Sequence, residues 1–120
     1  MSAGDKRKRF LAAWNVFRKQ DHLITPRTVE LFLIIAEHNG IKTSSLGELF
    51  PFSQSVFSRH LGKLTGRGYK KGNRMVAGLS LIMTIGDIDD YRSRRAFLTP
   101  KGTEVYSQFQ QALDGGFTDV

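Results

Sequence analysis

The sequence has no cysteine. Its absence excludes disulfides, thiolate catalysis and cysteine-ligated zinc, and it fits a reducing compartment. The sequence also lacks an apolar run of the roughly 18 residues that a membrane span requires. No hydrophobic signal core follows the basic start at 1–9. We therefore expect a cytoplasmic protein with a single domain over 1–120, long enough to bury a core without a metal or a disulfide.

Acidic residues are missing from two long segments, so the charge of the chain is segregated. The net charge is +7, and residues 53–74 contain six basic residues and no acidic one. Residues 91–101 contain four basic residues and again no acidic one. A surface that serves solubility alone mixes both signs. The pattern favours a nucleic-acid partner, and the alternative is a generically basic surface.

Patterns that support catalysis or metal binding are also missing. Ser58 and His60 are two positions apart on a predicted helix, so they point in different directions and do not form a nucleophile–base pair. The three histidines lack metal-ligand spacing, and the acidic run 87–90 lacks the glycine and the terminal glutamate of a calcium loop. The glycines of 62–72 lack the ending of a phosphate-binding loop. We predict no enzymatic activity, no metal and no cofactor.

Apolar residues recur at helical spacing in five segments. The predicted helices cover 5–20, 25–38, 43–50, 53–65 and 100–114. A threonine and a proline start the second and the fifth helix, as an N-cap and the first helical residue. The second helix is apolar almost all round, which predicts the buried centre of the fold. The aromatic stripe of the first helix (Phe10, Trp14 and Phe17) suits either a core face or a subunit interface.

The segment 43–65 predicts a helix-turn-helix. Ser45 and Glu48 have the spacing of a capping box at the start of its first helix. Pro51 then separates two short helices, and Ser53 caps the second. Two short helices joined by a brief turn, the second of them polar and basic, are typical of DNA-binding proteins.

The second of these helices has one apolar stripe. Its members stand at i, i+4 and i+7, and they are Phe57, Leu61 and Leu64. The stripe predicts a buried face, which leaves the polar residues on the other faces. Gly62 interrupts the helix, and we expect it to destabilise the helix by about 1 kcal/mol relative to alanine.

A β-hairpin is predicted over 79–98. Its first strand has four apolar residues on one face, with Ile82 as an exception. These four are Leu79, Leu81, Met83 and Ile85. A loop over 86–91 leads to the return strand over 93–98, whereas the connector 71–78 has no assignable pattern. The predicted fold class is therefore mainly α with a small β-hairpin, an α+β arrangement.

Two motifs resemble those of known regulators. The segment 53–69 resembles the recognition helix of winged-helix proteins. Asp90-x-Arg92, followed by Leu98-Thr99-x-x-Gly102, resembles the wing and the next helix of the MarR family. The resemblance implies a winged helix-turn-helix homodimer whose terminal helices, 1–20 and 100–114, pack together. It also implies regulation of transcription from a pseudo-palindromic site, often tuned by a small-molecule effector.

The sequence departs from this family in three respects. More residues than usual separate Tyr69 from Asp90, so the entry to the wing is extended or rebuilt. The chain is short after its last helix, which puts the arrangement of the dimer in question. The acidic run 87–90 places unusual negative charge near the expected position of phosphates.

The exposed side of helix 53–65 supplies groups that suit a DNA groove. The major groove admits a helix and presents a distinct donor and acceptor pattern for each base pair. Gln54 suits adenine and Arg59 suits guanine, whereas Lys63 is expected at a phosphate. The alternative is an ordinary polar surface. The predicted DNA-binding residues of this helix are Ser53, Gln54, Ser55, Ser58, Arg59 and Lys63.

The predicted wing supplies further arginines. Successive residues of a strand point to opposite faces, so we expect Arg92 and Arg94 at the DNA, with Arg95 paired with an acid or in solvent. By its match to the family motif, Arg92 resembles the wing arginine that enters the minor groove, and Asp90 resembles its supporting acid. The basic run 6–9 is either a phosphate-binding arm or a solvated tail.

The sequence thus favours a sequence-specific regulator that binds double-stranded DNA as a homodimer. Two alternatives remain. One is an architectural or replication-associated DNA-binding protein with little sequence preference, which competition with unrelated duplex DNA would reveal. The other is a winged-helix module whose basic surface binds an acidic protein partner. A small-molecule effector is left open.

Overall fold

The computed structural model describes residues 2–50, 53–86 and 93–115. Within these ranges the chain forms five helices and five short strands. The helices are α1 (Ala3–Arg18), α2 (Pro26–Glu37), α3 (Thr43–Leu49), α4 (Gln54–Leu64) and α5 (Pro100–Leu113). The strands are β1 (Ile41–Lys42), β2 (Tyr69–Lys71), β3 (Arg74–Val76), β4 (Ile82–Gly86) and β5 (Arg94–Leu98). None of the described helices is long and apolar enough to cross a membrane.

Three predicted helix starts are confirmed by their capping hydrogen bonds. The backbone N–H of Thr28 donates to the Thr25 side chain, and that of Gly102 donates to the Thr99 side chain. The backbone N–H of Val56 likewise donates to Ser53 Oγ. These hydroxyl groups satisfy amides that have no partner inside the helix, which is why the helices begin there.

One other helix start and one predicted cap differ from the prediction. α1 begins at Ala3, because Ser2 and Asp5 form a reciprocal capping box. The predicted capping box of Ser45 and Glu48 is wrong. α3 begins at Thr43, and its N-cap Lys42 makes no side-chain capping bond. Lys42 belongs to β1, so strand pairing positions the start of α3 in place of a cap.

The core forms around α2, as predicted. Leu31, Phe32 and Ile35 are fully buried. The Phe17 ring of α1 lies edge-on to Phe32, with ring centroids 5.5 Å apart. Phe17 also packs against Phe109 of α5 at 5.1 Å. The aromatic stripe of α1 is therefore divided, with Phe17 in the core and the rest of the stripe nearer the surface.

The hairpin of β4 and β5 belongs to a three-stranded antiparallel sheet. The strand order is β1-β5-β4, with Ile41 opposite Ala96 and Ile82 opposite Leu98. β1 was not predicted, because two residues carry no alternating pattern. Arg95 donates a hydrogen bond of 2.9 Å to the Gly40 carbonyl, so its side chain helps to hold the sheet against the end of α2.

The predicted inward face of the first wing strand is wrong. Ile82 is buried, whereas Met83 and Ile85 are 42% and 49% exposed. Leu81 is buried but precedes the strand, and Ser80 just before it has a φ of +57°. The left-handed turn therefore precedes the strand, and the regular alternation begins only at Ile82, with Ile82 on the inner face and Met83 and Ile85 on the outer one.

The unassigned connector forms a second hairpin. In β2 and β3, Tyr69 lies opposite Val76, Lys70 opposite Met75, and Lys71 opposite Arg74. Two residues, 72 and 73, connect the strands. Gly72 has a φ of +64°, the positive φ that a type II′ turn requires at its first central residue.

Backbone contacts join this hairpin to the end of α4. A Cβ atom at Gly62 would lie 2.5 Å from the Gly68 carbonyl oxygen, and one at Gly78 would collide with the Thr65 carbonyl oxygen. The Leu79 N–H donates to the Lys63 carbonyl at 2.8 Å. Both ends of the hairpin are thus bonded to the last turn of α4. We call this contact the glycine junction.

α4 also contacts α2 through a side-chain hydrogen bond. His60 Nδ1 and Thr28 Oγ1 form a hydrogen bond of 2.8 Å, and Phe50 lies edge-on to the His60 ring at 5.9 Å. Burial lowers the pKa of His60 below its ordinary value, and the charges of Arg59 and Arg27 act in the same direction. His60 therefore anchors α4 to α2, and its surroundings favour the neutral imidazole.

We expect Gly62→Ala to destabilise the protein by about 1–3 kcal/mol, although alanine has the higher helix propensity. The added Cβ would displace the Gly68 carbonyl and open the glycine junction. Gly47→Ala in α3 is the matched control, because nothing lies within 4 Å of its Cβ position. That variant should be stabilised by up to about 1 kcal/mol. Urea unfolding measures both, and stabilisation of both variants would contradict the close approach.

We expect the free energy of unfolding to decrease as the pH falls through about 6.5. The lowered pKa of His60 means that the unfolded chain binds the proton more readily than the native protein, so protonation favours unfolding. His60→Asn should lose this part of the pH dependence. Urea unfolding of both proteins between about pH 7.5 and 5.5 tests it. Parallel curves for the two proteins would show that His60 is not the titrating anchor.

Candidate nucleic-acid interface

The apolar stripe of α4 determines which of its residues face outward. Phe57, Leu61 and Leu64 are buried, as predicted. The other faces carry four exposed polar residues and the exposed N-cap before them. These are Ser53, Gln54, Ser55, Ser58 and Arg59. The residues that were predicted to contact DNA from α4 therefore lie together on its outer side, with Lys63 as the exception.

Lys63 lies away from that exposed side. Its ammonium group forms a 2.9 Å ion pair with Asp21, and the two side chains are only 17% and 19% exposed. Burial alone would raise the pKa of Asp21, yet hydrogen bonds from Lys63 and from the Leu23 amide hold it below its usual value. Lys63 would have to leave a charged partner to reach a phosphate. We therefore exclude it from the interface that is proposed below.

One side of α4 borders the wing. A cleft of about 370 Å³ separates them, and it is lined by Gln54 and Ser58 of α4 and by Thr84 and Arg94 of the wing strands. Arg67, which follows α4, also lines this wing cleft. The structure thus brings Arg94 to the same surface as two residues of α4 that were predicted to bind DNA. The predicted roles of Arg92 and Asp90 concern residues outside the described ranges.

The neighbouring side of α4 borders the second hairpin. An open cleft of about 560 Å³ is lined by Ser55, Ser58 and Arg59 of α4 and by Lys70 and Met75 of β2 and β3. Ser58 lines both this hairpin cleft and the wing cleft. The exposed ridge of α4 therefore runs between two β-hairpins.

The two clefts are strongly basic. Their lining residues include four cations and no acidic side chain, and the cations are Arg59, Arg67, Lys70 and Arg94. Within the described ranges, the side chains of these four make no ion pair or hydrogen bond. Arg67 and Lys70 were visible in the sequence only as members of an acid-free segment. No pattern in the sequence indicated that they would lie beside α4, because the hairpin that carries Lys70 was not predicted.

The described residues contain no group of three or more histidine, cysteine, aspartate or glutamate side chains that could hold a metal ion. The chemistry of the clefts is that of exposed cations, hydroxyl groups and one amide. Such groups bind phosphate oxygens and the edges of bases.

No protein-family model and no curated protein matches the sequence. Solved structures match its fold. RV1404 from Mycobacterium tuberculosis is 20% identical with a TM-score of 0.68, over 91% of this chain and 66% of that one. The transcriptional regulator Tm0710 from Thermotoga maritima is 19% identical with a TM-score of 0.67, over 89% and 66%. Reduced AbfR bound to DNA is 18% identical with a TM-score of 0.58, over 93% and 72%.

The chain spans about two thirds of the length of RV1404 and of Tm0710. MarR and MarR-family regulators from Methanosarcina mazei Go1 and Silicibacter pomeroyi also match, each with a TM-score of 0.55. At such low identities the likeness concerns the fold. It confirms the predicted α+β class with a β-hairpin wing. The chain therefore has the winged helix-turn-helix fold of the MarR-family transcriptional regulators.

Proposed function

We propose that the protein is a transcriptional regulator that binds double-stranded DNA through the exposed side of α4. The observation that carries the proposal is the meeting of base-reading and phosphate-binding groups on one surface. Ser58 joins two clefts whose lining includes four cations and no acid. AbfR, a protein of the same fold, has been solved bound to DNA. No catalytic activity forms part of the proposal.

The dimensions of α4 suit the major groove. A helix with its side chains is about 10–12 Å across, and the major groove is about 12 Å wide. The exposed residues near the N-terminus of α4, Gln54 and Ser55, would enter first, with Arg59 one turn later. An amide pairs with adenine and a guanidinium pairs with guanine. These residues would carry the sequence preference.

Arg94 and Arg67 would bind the phosphates beside the groove. Both line the wing cleft, next to Gln54 and Ser58. Contacts to phosphates fix the register of a protein on the duplex but carry no sequence information. Arg92 keeps its proposed role at the minor groove, which rests on its match to the wing motif.

We assign the remaining apolar surface to a second copy of the chain. A groove of about 560 Å³ runs between α1, α2 and α5, and Trp14, Leu33 and Phe109 are among its lining residues. Phe10 and Leu113 border it and are 62% and 43% exposed. Exposed aromatic and aliphatic residues around an apolar groove are typical of a subunit interface. A two-fold dimer presents two copies of α4, which suits a pseudo-palindromic site.

The proposal assigns no binding site to the small-molecule effector that the resemblance implies. A cytoplasmic location is expected for a regulator of transcription. The low-specificity architectural role and the protein-binding role remain as outcomes of the experiments below.

We expect Arg59→Ala to reduce the preference for a selected site, because it removes a base contact. Arg94→Ala should weaken binding to all sequences alike, because it removes a phosphate contact. The measurement is the ratio of affinities for a duplex selected by the wild type and for random duplex, over a range of salt. The slope of log affinity against log salt should be about −5 or steeper for the dimer.

Three outcomes would contradict this proposal. A wild-type preference of less than about tenfold over random DNA favours the architectural role. Absence of DNA binding at about 50 mM salt favours the protein-binding role. Identical effects of Arg59→Ala and Arg94→Ala would mean that the assignment of base and phosphate contacts is wrong.

We expect Phe10→Glu to weaken dimerisation by at least about tenfold, because it places a charge in an apolar interface. Leu23→Glu is the matched control, since Leu23 is 75% exposed and does not line the apolar groove. Sedimentation velocity over a range of protein concentrations compares the two variants. A monomeric wild type, or equal effects of both substitutions, would contradict the assignment of the groove to a second copy.

A further inference from the structure

Apart from Lys70, which lines the hairpin cleft, the hairpin of β2 and β3 has no assigned contact in the function proposed so far. It occupies the connector between α4 and the wing, where the sequence had no assignable pattern. Its described residues include three exposed cations and no acid, and the cations are Lys70, Lys71 and Arg74. The whole segment from 49 to 86 contains no acidic residue. A hairpin of this composition has no internal partner for its charge.

The hairpin is held firmly in position. At its entry, the Gly68 N–H donates to the Gly62 carbonyl at 2.9 Å. At its exit, the Leu79 N–H donates to the Lys63 carbonyl at 2.8 Å, and the Leu81 N–H donates to the Leu64 carbonyl at 2.8 Å. Both stems are bonded to the end of α4, so the cations of the hairpin keep a defined place beside that helix.

The strand register divides these cations between two faces. Lys70 lies directly opposite Met75, and both line the hairpin cleft together with Arg59. Lys71 lies directly opposite Arg74 beside the turn, on the other face. Two like charges in directly opposed positions destabilise a hairpin. Among the described residues no anion offsets this pair, so a bound anion would relieve the repulsion.

We infer that the β2–β3 hairpin is a second DNA-binding ribbon, which binds backbone phosphates on the side of α4 that faces away from the wing. Lys70 lies along the major groove of the DNA. Lys71 and Arg74, at the tip of the hairpin, bind phosphates outside that groove. The inference rests on the proposed function and extends its footprint. The recognition helix is then flanked by two basic hairpins, one on each side of Ser58.

The position of Lys70 favours DNA over an acidic protein as the occupant. Lys70 shares its cleft with Ser58 and with two of the proposed base-contacting residues, Ser55 and Arg59. One ligand must therefore meet both the helix and the hairpin. A duplex offers base edges in its groove and regularly spaced phosphates beside it, so a single molecule satisfies both sets of groups.

The test compares two double variants, each of which removes two positive charges. Lys71→Gln/Arg74→Gln removes the tip cations, and Arg18→Gln/Lys19→Gln removes two exposed cations that line neither cleft. The probe is a duplex that the wild type selects from a random pool. Affinities are measured between about 50 mM and 200 mM salt. A third variant, Lys71→Arg/Arg74→Lys, keeps the charge and controls for distortion of the hairpin.

In the tip variant, Lys71→Gln/Arg74→Gln, the slope of log affinity against log salt should become shallower by about two per subunit. Each lost phosphate contact changes this slope by about 0.9. The Arg18/Lys19 control and the charge-keeping variant should match the wild type. Ethylation interference should show lost phosphate contacts at the flanks of the site, with the base preference unchanged. A tip variant that has the wild-type slope, or a charge-keeping variant that loses it, would overturn the inference.

Failure of this inference is distinguishable from failure of the proposed function. If the wild type binds DNA with a steep salt dependence and the tip variant does the same, only the role of the hairpin is wrong. If the wild type does not bind duplex DNA at about 50 mM salt, the proposed function is wrong and the hairpin inference is overturned with it.

Discussion

The glycine junction at the end of α4 is the contact on which the geometry of the surface depends. The Gly62 and Gly78 positions have no space for a side chain against the backbone of 65–68. Because the chain passes so closely, it leaves α4 into one hairpin and returns to the same turn before it enters the other. The junction therefore fixes both hairpins relative to the helix. A basic helix alone would be a common surface feature. A helix held between two anchored hairpins forms a binding surface whose size suits a DNA groove.

Local patterns predicted α2, α4 and α5 well because each of these helices has a start signal of its own. Thr25, Ser53 and Thr99 cap the helices that follow them, and the stripe of α4 is buried as its spacing indicated. The strands were predicted less well. β1 has only two residues, and the regular alternation of β4 begins only at Ile82, after the left-handed turn at Ser80. The β2–β3 hairpin has no apolar face, so its position depends on backbone contacts that no residue pattern encodes.

The sequence likewise predicted some residues of the candidate site correctly and missed others. Helical periodicity was sufficient to predict that the polar face of α4 is exposed. It was insufficient for Lys63, because the ion pair with Asp21 joins residues far apart in the chain. The spacing of His60 offered a usable signal, since it lies three residues after Phe57 and four before Leu64 and so borders the buried stripe. Likewise Gly62 weakens α4 as an isolated helix but permits the contact that anchors the hairpin.

The absence of cysteine makes one direct test of the central claim straightforward. Ser55→Cys places a single thiol on the exposed side of α4, where an iron chelate can be attached to cleave nearby DNA. If α4 lies in the major groove, cleavage of a selected duplex should be confined to a short stretch in each half-site, related by two-fold symmetry. The same chelate on Arg18→Cys is the reference. Cleavage from Ser55→Cys that is no more localised than cleavage from this reference would contradict the account.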